Sequence, residues 1–434
     1  MKNILFILFL LFLIPSSASC EQTGDTLSSA KVTSVTETFD PVAATNTYVN
    51  ALSAKDKATS DKYFEGNYWH TLWAMLIEIL VAVIFLFFGL SQWMKKISRR
   101  VKNVNLQNLI YILFYLVFSF LLTLPYSIYK DFIREHHFGL SNMSFGGWFG
   151  EELINLLVNV VLLTILLLVI YFVIRKTKKY WWIWTSVVST AFFVILVFIY
   201  PVFIAPLFNT YTELPAGKVR TEILSLARAN GIPADHVYEF NASKQSKRIS
   251  ANVSGIGSTI RISLNDNLLN RCTPAEIKAV MAHEMGHYLL HHVQKLILIY
   301  GVLFFAGFWL VDITCRRLLK KWGQRWKVSG MDDIGGLPLL MVVFSFYIFL
   351  ATPLTNNITR ITEAEADIFG INASLEPDGF ARAAMMTSEY RKVDPGHWEE
   401  IIFYDHPSPH SRVLMAMKWK AENLKEPVTV TEDK

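Results

Sequence analysis

Cysteine is nearly missing from this 434-residue chain. Its three copies, Cys20, Cys272 and Cys315, fall far apart. That excludes a disulfide framework and any metal site built from cysteine thiolates. Charge is also sparse: only 18% of residues are Asp, Glu, Lys or Arg, and the net charge is a modest +5. No basic stripe interleaved with aromatics occurs, so no nucleic-acid partner is expected. Internal repeats and low-complexity tracts are lacking as well, which excludes solenoids and arrays. No inverted pair of interrupted apolar segments appears, which weighs against a transporter.

What the chain has in excess is apolar sequence. Hydrophobic residues make up 52%, and mean hydropathy is +0.33. Six apolar runs, at 71–94, 106–128, 153–174, 181–205, 296–315 and 337–355, are each long enough to cross ~30 Å of hydrocarbon as a helix. Trp69, Trp73, Trp93, Trp181, Trp182 and Trp184 stand near the run ends, where interfacial anchors belong. A lipid bilayer is therefore the expected surrounding. The expected fold is mainly α: a polytopic helical membrane protein of six spans with a smaller α+β domain at the membrane.

Residues 1–20 read as a secretory signal or a short first helix. Lys2 precedes an apolar run from Ile4 to Ile14, and small residues follow up to Cys20. Cleavage near Ala18 and lipidation at Cys20 are alternative fates. The expected organisation is then a polar segment at 21–67, a four-helix membrane region at 68–205, and a catalytic segment at 206–295. A membrane hairpin at 296–355 and a second catalytic segment at 356–434 complete it. Within 206–295, Lys218 to Asn230 predicts an amphipathic helix. Val237–Phe240 and Thr259–Leu264 predict strands, the second half-buried because Arg261 and Ser263 alternate with Ile260, Ile262 and Leu264.

The chemistry is concentrated in His283-Glu284-Met285-Gly286-His287. On a helix, positions i and i+4 share a face, so both imidazoles reach one metal ion. Glu284 sits at the edge of that face, placed to take a proton from attacking water without being a ligand. Thr273-Pro274-Ala275-Glu276 is a helix-start signal with a capping box, so the motif is helical as this geometry demands. A third ligand is still needed. The position six residues beyond His287 is Val293, so a third histidine at metzincin spacing is absent. His291 and His292 are expected to continue the same helix, out of reach of its ligand face. A carboxylate from a second helix remains. Glu363 and Asp367 are i, i+4 in 356–367, which allows Glu363 to ligate and Asp367 to orient a ligand imidazole.

With these motifs in view, the chain resembles the integral-membrane zinc metalloproteases typified by the type I CAAX prenyl endopeptidase. The resemblance spans residues from about 40 onward. It is carried by Pro206-Leu207-Phe208-Asn209 with Leu214-Pro215-Ala216-Gly217, by Asn252 with Leu268-Leu269, and by the zinc helix. Asn356 with Arg360, Glu363 and Asp367, and His406-Pro407-Ser408-Pro409-His410-Ser411-Arg412, complete it. The resemblance implies one Zn2+ held by His283, His287 and Glu363, with Glu284 as general base and then acid. It implies His406 as donor to the oxyanion, with Arg412 supporting it or a ligand carboxylate. Asn252 would hold the backbone of a peptide or protein substrate, and Arg360 and Asp367 would lie behind the ligands. The aromatic-rich strand usual after Asn252 is replaced here by Val253-Ser254-Gly255-Ile256-Gly257, which bears on the substrate groove rather than on hydrolysis.

Lys and Arg cluster at 95–102, 175–179 and 316–327, alternating with segments that contain Asp and Glu. The positive-inside rule places these three loops in the cytoplasm. Counting spans then puts both catalytic segments on the opposite, periplasmic side of a bacterial inner membrane. Prenylated substrates do not suit that compartment.

Overall fold

The computed structural model describes residues 39–255 and 260–424. The signal-like stretch, Cys20, and Ile256 and Gly257 lie outside the described residues. Helix α1 (Pro41–Asn50) starts at Asp40, whose side chain accepts from the Val42 N–H. Ser53 caps α2 (Ala54–Phe87) in the same way. The polar part of α2 thus leads straight into its apolar part, as one 34-residue helix. Gly89, at φ 82°, turns the chain into the short helix α3 (Leu90–Ser98). Only a residue without Cβ takes that conformation freely. The first apolar run therefore stops at Phe87, and Trp93 belongs to a separate helix.

Helix α4 (Val104–Ser127) continues through a π-helical turn at Ile128–Ile133. Helices α5 (Phe145–Thr177) and α6 (Trp181–Ile199) follow. Among the described residues, five helical stretches are long and apolar enough to cross a membrane, where six separate spans were expected. The runs at 153–174 and 181–205 fall in one helical stretch, Phe145–Leu207. Lys178, at a positive φ of 43°, breaks that stretch, and α5 and α6 pack against each other on either side of the break.

The catalytic segment builds a four-stranded sheet in the order β1-β2-β4-β3. It comprises β1 (Tyr211–Glu213), β2 (Val237–Phe240), β3 (Ala251–Ser254) and β4 (Arg261–Asn265), with α7 (Lys218–Ala229) between β1 and β2. β2 and β4 are parallel, while β1 and β3 are antiparallel to their neighbours. β4 is central, and the structure corrects its expected half-burial: Ser263 is as inaccessible as Ile262 and Leu264. β3 is left on the edge. Ile223, Leu226, Val237, Ile262, Met281 and Met285 form the core between this sheet and its helices.

After α8 (Asp266–Arg271) come α9 (Pro274–Leu289) and α10 (His292–Trp326). Helices α11 (Leu337–Ser374), α12 (Pro377–Met386), α13 (His397–Phe403) and α14 (Pro409–Asn423) are the last among the described residues. The Thr273–Glu276 capping box of α9 is formed. The long helices α10 and α11 run in opposite directions, so the loop at 327–336 joins them at the end remote from Glu363. The three basic segments gather at that end. Lys95 Nζ meets Asp333 Oδ2 at 2.5 Å and the Lys327 carbonyl at 3.0 Å, Arg175 bonds Asn105, and Arg316 bonds the Lys178 carbonyl. Beneath them Phe85, Met94, Tyr111, Trp181, Val311 and Leu337 form a closely packed core. Glu363 lies roughly 39 Å along α11 from Leu337. That separation is longer than the ~30 Å of a hydrocarbon core.

Candidate metal centre

The site forms where α9 crosses α11. Two glycines permit the approach. A Cβ on Gly370 would stand 2.9 Å from the His283 backbone nitrogen, and one on Gly286 would stand 3.3 Å from the Ala366 Cα. Small residues at such crossings let helix backbones close together. The result brings His283 and His287 from α9 onto Glu363 from α11.

The donor spacing fits a metal. His283 Nε2 and His287 Nε2 are 3.1 Å apart. Glu363 Oε2 is 3.3 Å from His283 Nε2, and Glu363 Oε1 is 3.5 Å from His287 Nε2. Tetrahedral zinc with N and O ligands at ~2.1 Å requires donor separations of roughly 3.4 Å. Glu363 Oε2 is a buried acceptor without a hydrogen bond, an arrangement that a cation would complete. Among the described residues, these three form a group able to hold a metal ion.

Electrostatics agree with the geometry. Burial opposes charging of His283, but contacts with Asp367 and Glu363 outweigh it and lift its pKa to about 10. Positive charge is therefore strongly favoured at this spot, and a divalent cation would compete with the proton for it. Glu284 faces the same cavity, of about 180 Å³, together with His283, His406, Arg412 and Tyr390. Burial holds the Glu284 carboxyl above the usual carboxylate range, against the pull of His283 and His287. A carboxylate so placed accepts a proton more readily than one in water.

Behind the ligands, Asp367 Oδ1 lies 2.7 Å from His283 Nδ1. Arg412 grips Asp367 with two bonds, Nε to Oδ2 at 2.9 Å and NH2 to Oδ1 at 2.6 Å. Arg412 was expected to support His406 or a ligand carboxylate; it pairs with Asp367 and one side of it also lines the cavity. The expectation for Arg360 is corrected. It does not stand behind a ligand. Its NH1 donates to the carbonyls of Glu400 and Tyr404, at 2.5 and 2.8 Å. Asn356 and Asn357 donate to the carbonyls of Ile402 and Ile401. The carbonyls of Ile401 and Ile402 belong to the last turn of α13, where helical N–H donors run out. Side chains of α11 thus cap α13 and fix the turn that carries His406.

His406 Nε2 points at Glu363 Oε2, at 3.2 Å. Its other nitrogen lies 2.8 Å from Asp405 Oδ1 and 3.0 Å from Arg391 NH2. Neither neighbour was legible in the sequence, because no spacing rule links Arg391 to a histidine in the next turn-rich segment. Asn252 stands on edge strand β3 opposite Ser263. The cavity is lined by Ile249, Ser250 and Ala251, just before it.

His292 departs most from expectation. Helix α9 ends at Leu289, and His291 turns left-handed at φ 55°. Histidine is among the side chains that tolerate this region. The turn starts a new helix with His292, whose ring comes back to His287, Nδ1 to Nδ1 at 2.9 Å. Its Nε2 lies 3.0 Å from Glu365 Oε2.

Comparison with known proteins agrees with this architecture. Residues 41–210 match the CAAX prenyl protease N-terminal region of five membrane helices, and residues 213–420 match peptidase family M48. An uncharacterized metalloprotease of Bacillus subtilis (strain 168), YhfN, is 32% identical over 80% of both chains. A CAAX prenyl protease 1 homolog of Arabidopsis thaliana is 29% identical over 83% of this chain and 87% of its own length. The fold is similar to the crystal structure of S. mikatae Ste24p, with a TM-score of 0.70 at 21% identity, over 85% of this chain and 90% of the other. Relatedness along four-fifths of two metalloprotease chains, on a helical membrane fold, makes this chain a member of peptidase family M48, a multi-pass membrane metalloendopeptidase.

Proposed function

We propose that His283, His287 and Glu363 hold one zinc ion and that the chain cuts extended peptides at the membrane surface. The observation that carries this reading is that donor atoms of three residues from two helices converge to 3.1–3.5 Å, near the ~3.4 Å of a tetrahedral zinc site. Bound zinc would supply a Lewis acid that polarises the scissile carbonyl and acidifies water. Glu284 takes the proton of the attacking water and returns it to the leaving amine. His406 Nε2 donates to the oxygen that gains negative charge in the transition state. Edge strand β3, with Asn252, offers backbone groups that grip an extended substrate of almost any sequence. A transporter would bind no stoichiometric metal, and an inactive scaffold would cleave nothing. Metal analysis of purified protein and hydrolysis of a casein digest, with and without chelator, test both.

His406→Ala should lower kcat by roughly 100-fold, with KM changed little and metal content intact, because its bond exists mainly in the transition state. A change in KM alone would make His406 a substrate-binding residue.

We further infer that the site faces the periplasm of a bacterial inner membrane. The gathering of the basic segments at the end remote from Glu363 supports this reading. Exported or membrane proteins are then the substrates. Single cysteines replacing the exposed Ser243 and Gln324, in a background without native cysteine, test it. An impermeant maleimide on intact spheroplasts should label position 243 and spare 324. The reverse pattern would put the site in the cytoplasm.

A further inference from the structure

The two histidines of the site each have one ring nitrogen turned away from the donor cluster. For His283 that nitrogen meets a carboxylate directly, Asp367 Oδ1 at 2.7 Å. For His287 it meets a second imidazole, His292 Nδ1 at 2.9 Å. His292 is only 1% exposed, and its far nitrogen meets Glu365 Oε2 at 3.0 Å. Lys295 Nζ holds the same carboxylate oxygen at 2.8 Å.

Counting protons along this line leaves one arrangement. His287 must offer the Nε2 lone pair to the donor cluster, so its proton sits on Nδ1. That N–H needs an acceptor, and His292 Nδ1 is within reach. His292 then carries its proton on Nε2 and donates it to Glu365. Each nitrogen and the carboxylate has one role, and the reverse arrangement would leave His287 without its lone pair toward the site.

We propose that His292, backed by Glu365 and Lys295, is a positioning residue for His287: it fixes the tautomer and ring direction of that ligand, as Asp367 does for His283. The assignment rests on His287 being a metal ligand. It also explains the break at His291. A continuous α9–α10 helix would carry His292 away from His287, since i+5 lies beyond the face shared by i and i+4.

The test is zinc affinity of the full-length protein in detergent micelles, by competition with a chromophoric chelator, beside the visible absorption of the Co2+-substituted protein. His292→Phe keeps a ring but removes the acceptor. It should weaken zinc binding by roughly 10–100-fold, the usual effect of losing a partner behind a ligand, and shift the Co2+ bands. In His292→Asn the side-chain oxygen falls where Nδ1 was, so most of the affinity should return. Wild-type affinity in His292→Phe would overturn the proposal. Equal losses in the Phe and Asn variants would also overturn it, by showing that His292 matters only for packing. His287→Ala separates the underlying reading: if it keeps wild-type zinc affinity, His287 is no ligand and the ligand assignment itself fails.

Discussion

Glu284→Gln is expected to cut peptide hydrolysis by about 10³-fold while the protein retains a full complement of metal. That factor corresponds to about 4 kcal/mol of transition-state stabilisation. Glu284 follows His283 directly, and its side chain opens into the cavity beside the donor cluster. Burial raises its proton affinity, and His283 and His287 lower it again, so the group is poised to exchange a proton. Glutamine keeps the size and one acceptor oxygen but takes no proton. The loss should therefore appear in kcat, with KM and metal content nearly unchanged. Undiminished turnover would remove Glu284 from the mechanism.

The second large effect is on the metal. Glu363→Ala should leave purified protein with little zinc and no measurable hydrolysis. Glu363 supplies both carboxylate oxygens to the cluster, at 3.3 Å from one imidazole and 3.5 Å from the other. Without it, two histidines on one helix remain, short of the three protein ligands that catalytic zinc sites use. Glu365 is two residues away, but it faces His292 and Lys295. Glu365→Ala should stay loaded at micromolar zinc, weakened only through His292. Metal analysis after gel filtration reads both. Equal metal content in the two variants would reject Glu363 as the third ligand.

The sequence by itself determined the membrane class, because apolar runs of span length admit no other solvent. It determined the helix of the candidate metal centre too: the capping signal and the i, i+4 histidines obey the periodicity of a single helix, and local rules suffice there. Glu363 and Asp367 were legible for the same reason. What tertiary structure decided lies between elements. The approach of α9 and α11 depends on Gly286 lying against Ala366 and Phe369 and on Gly370 lying against His283, contacts that no periodicity reveals. Arg360 reads as part of a ligand helix, yet it donates to the carbonyls of Glu400 in α13 and of Tyr404 just after it, contacts made across some forty residues. Arg412 meets Asp367 across 45 residues, and His406 meets Glu363 from a turn whose path α11 side chains hold. His292 was visible but misread. Helix continuation would have carried it away from His287, and one left-handed residue, His291, brought it back. Side-chain periodicity is a local property of backbone dihedrals and is written in the sequence. Which faces then meet depends on packing among segments far apart in the chain, and for this protein that packing brings together the groups behind the candidate ligands.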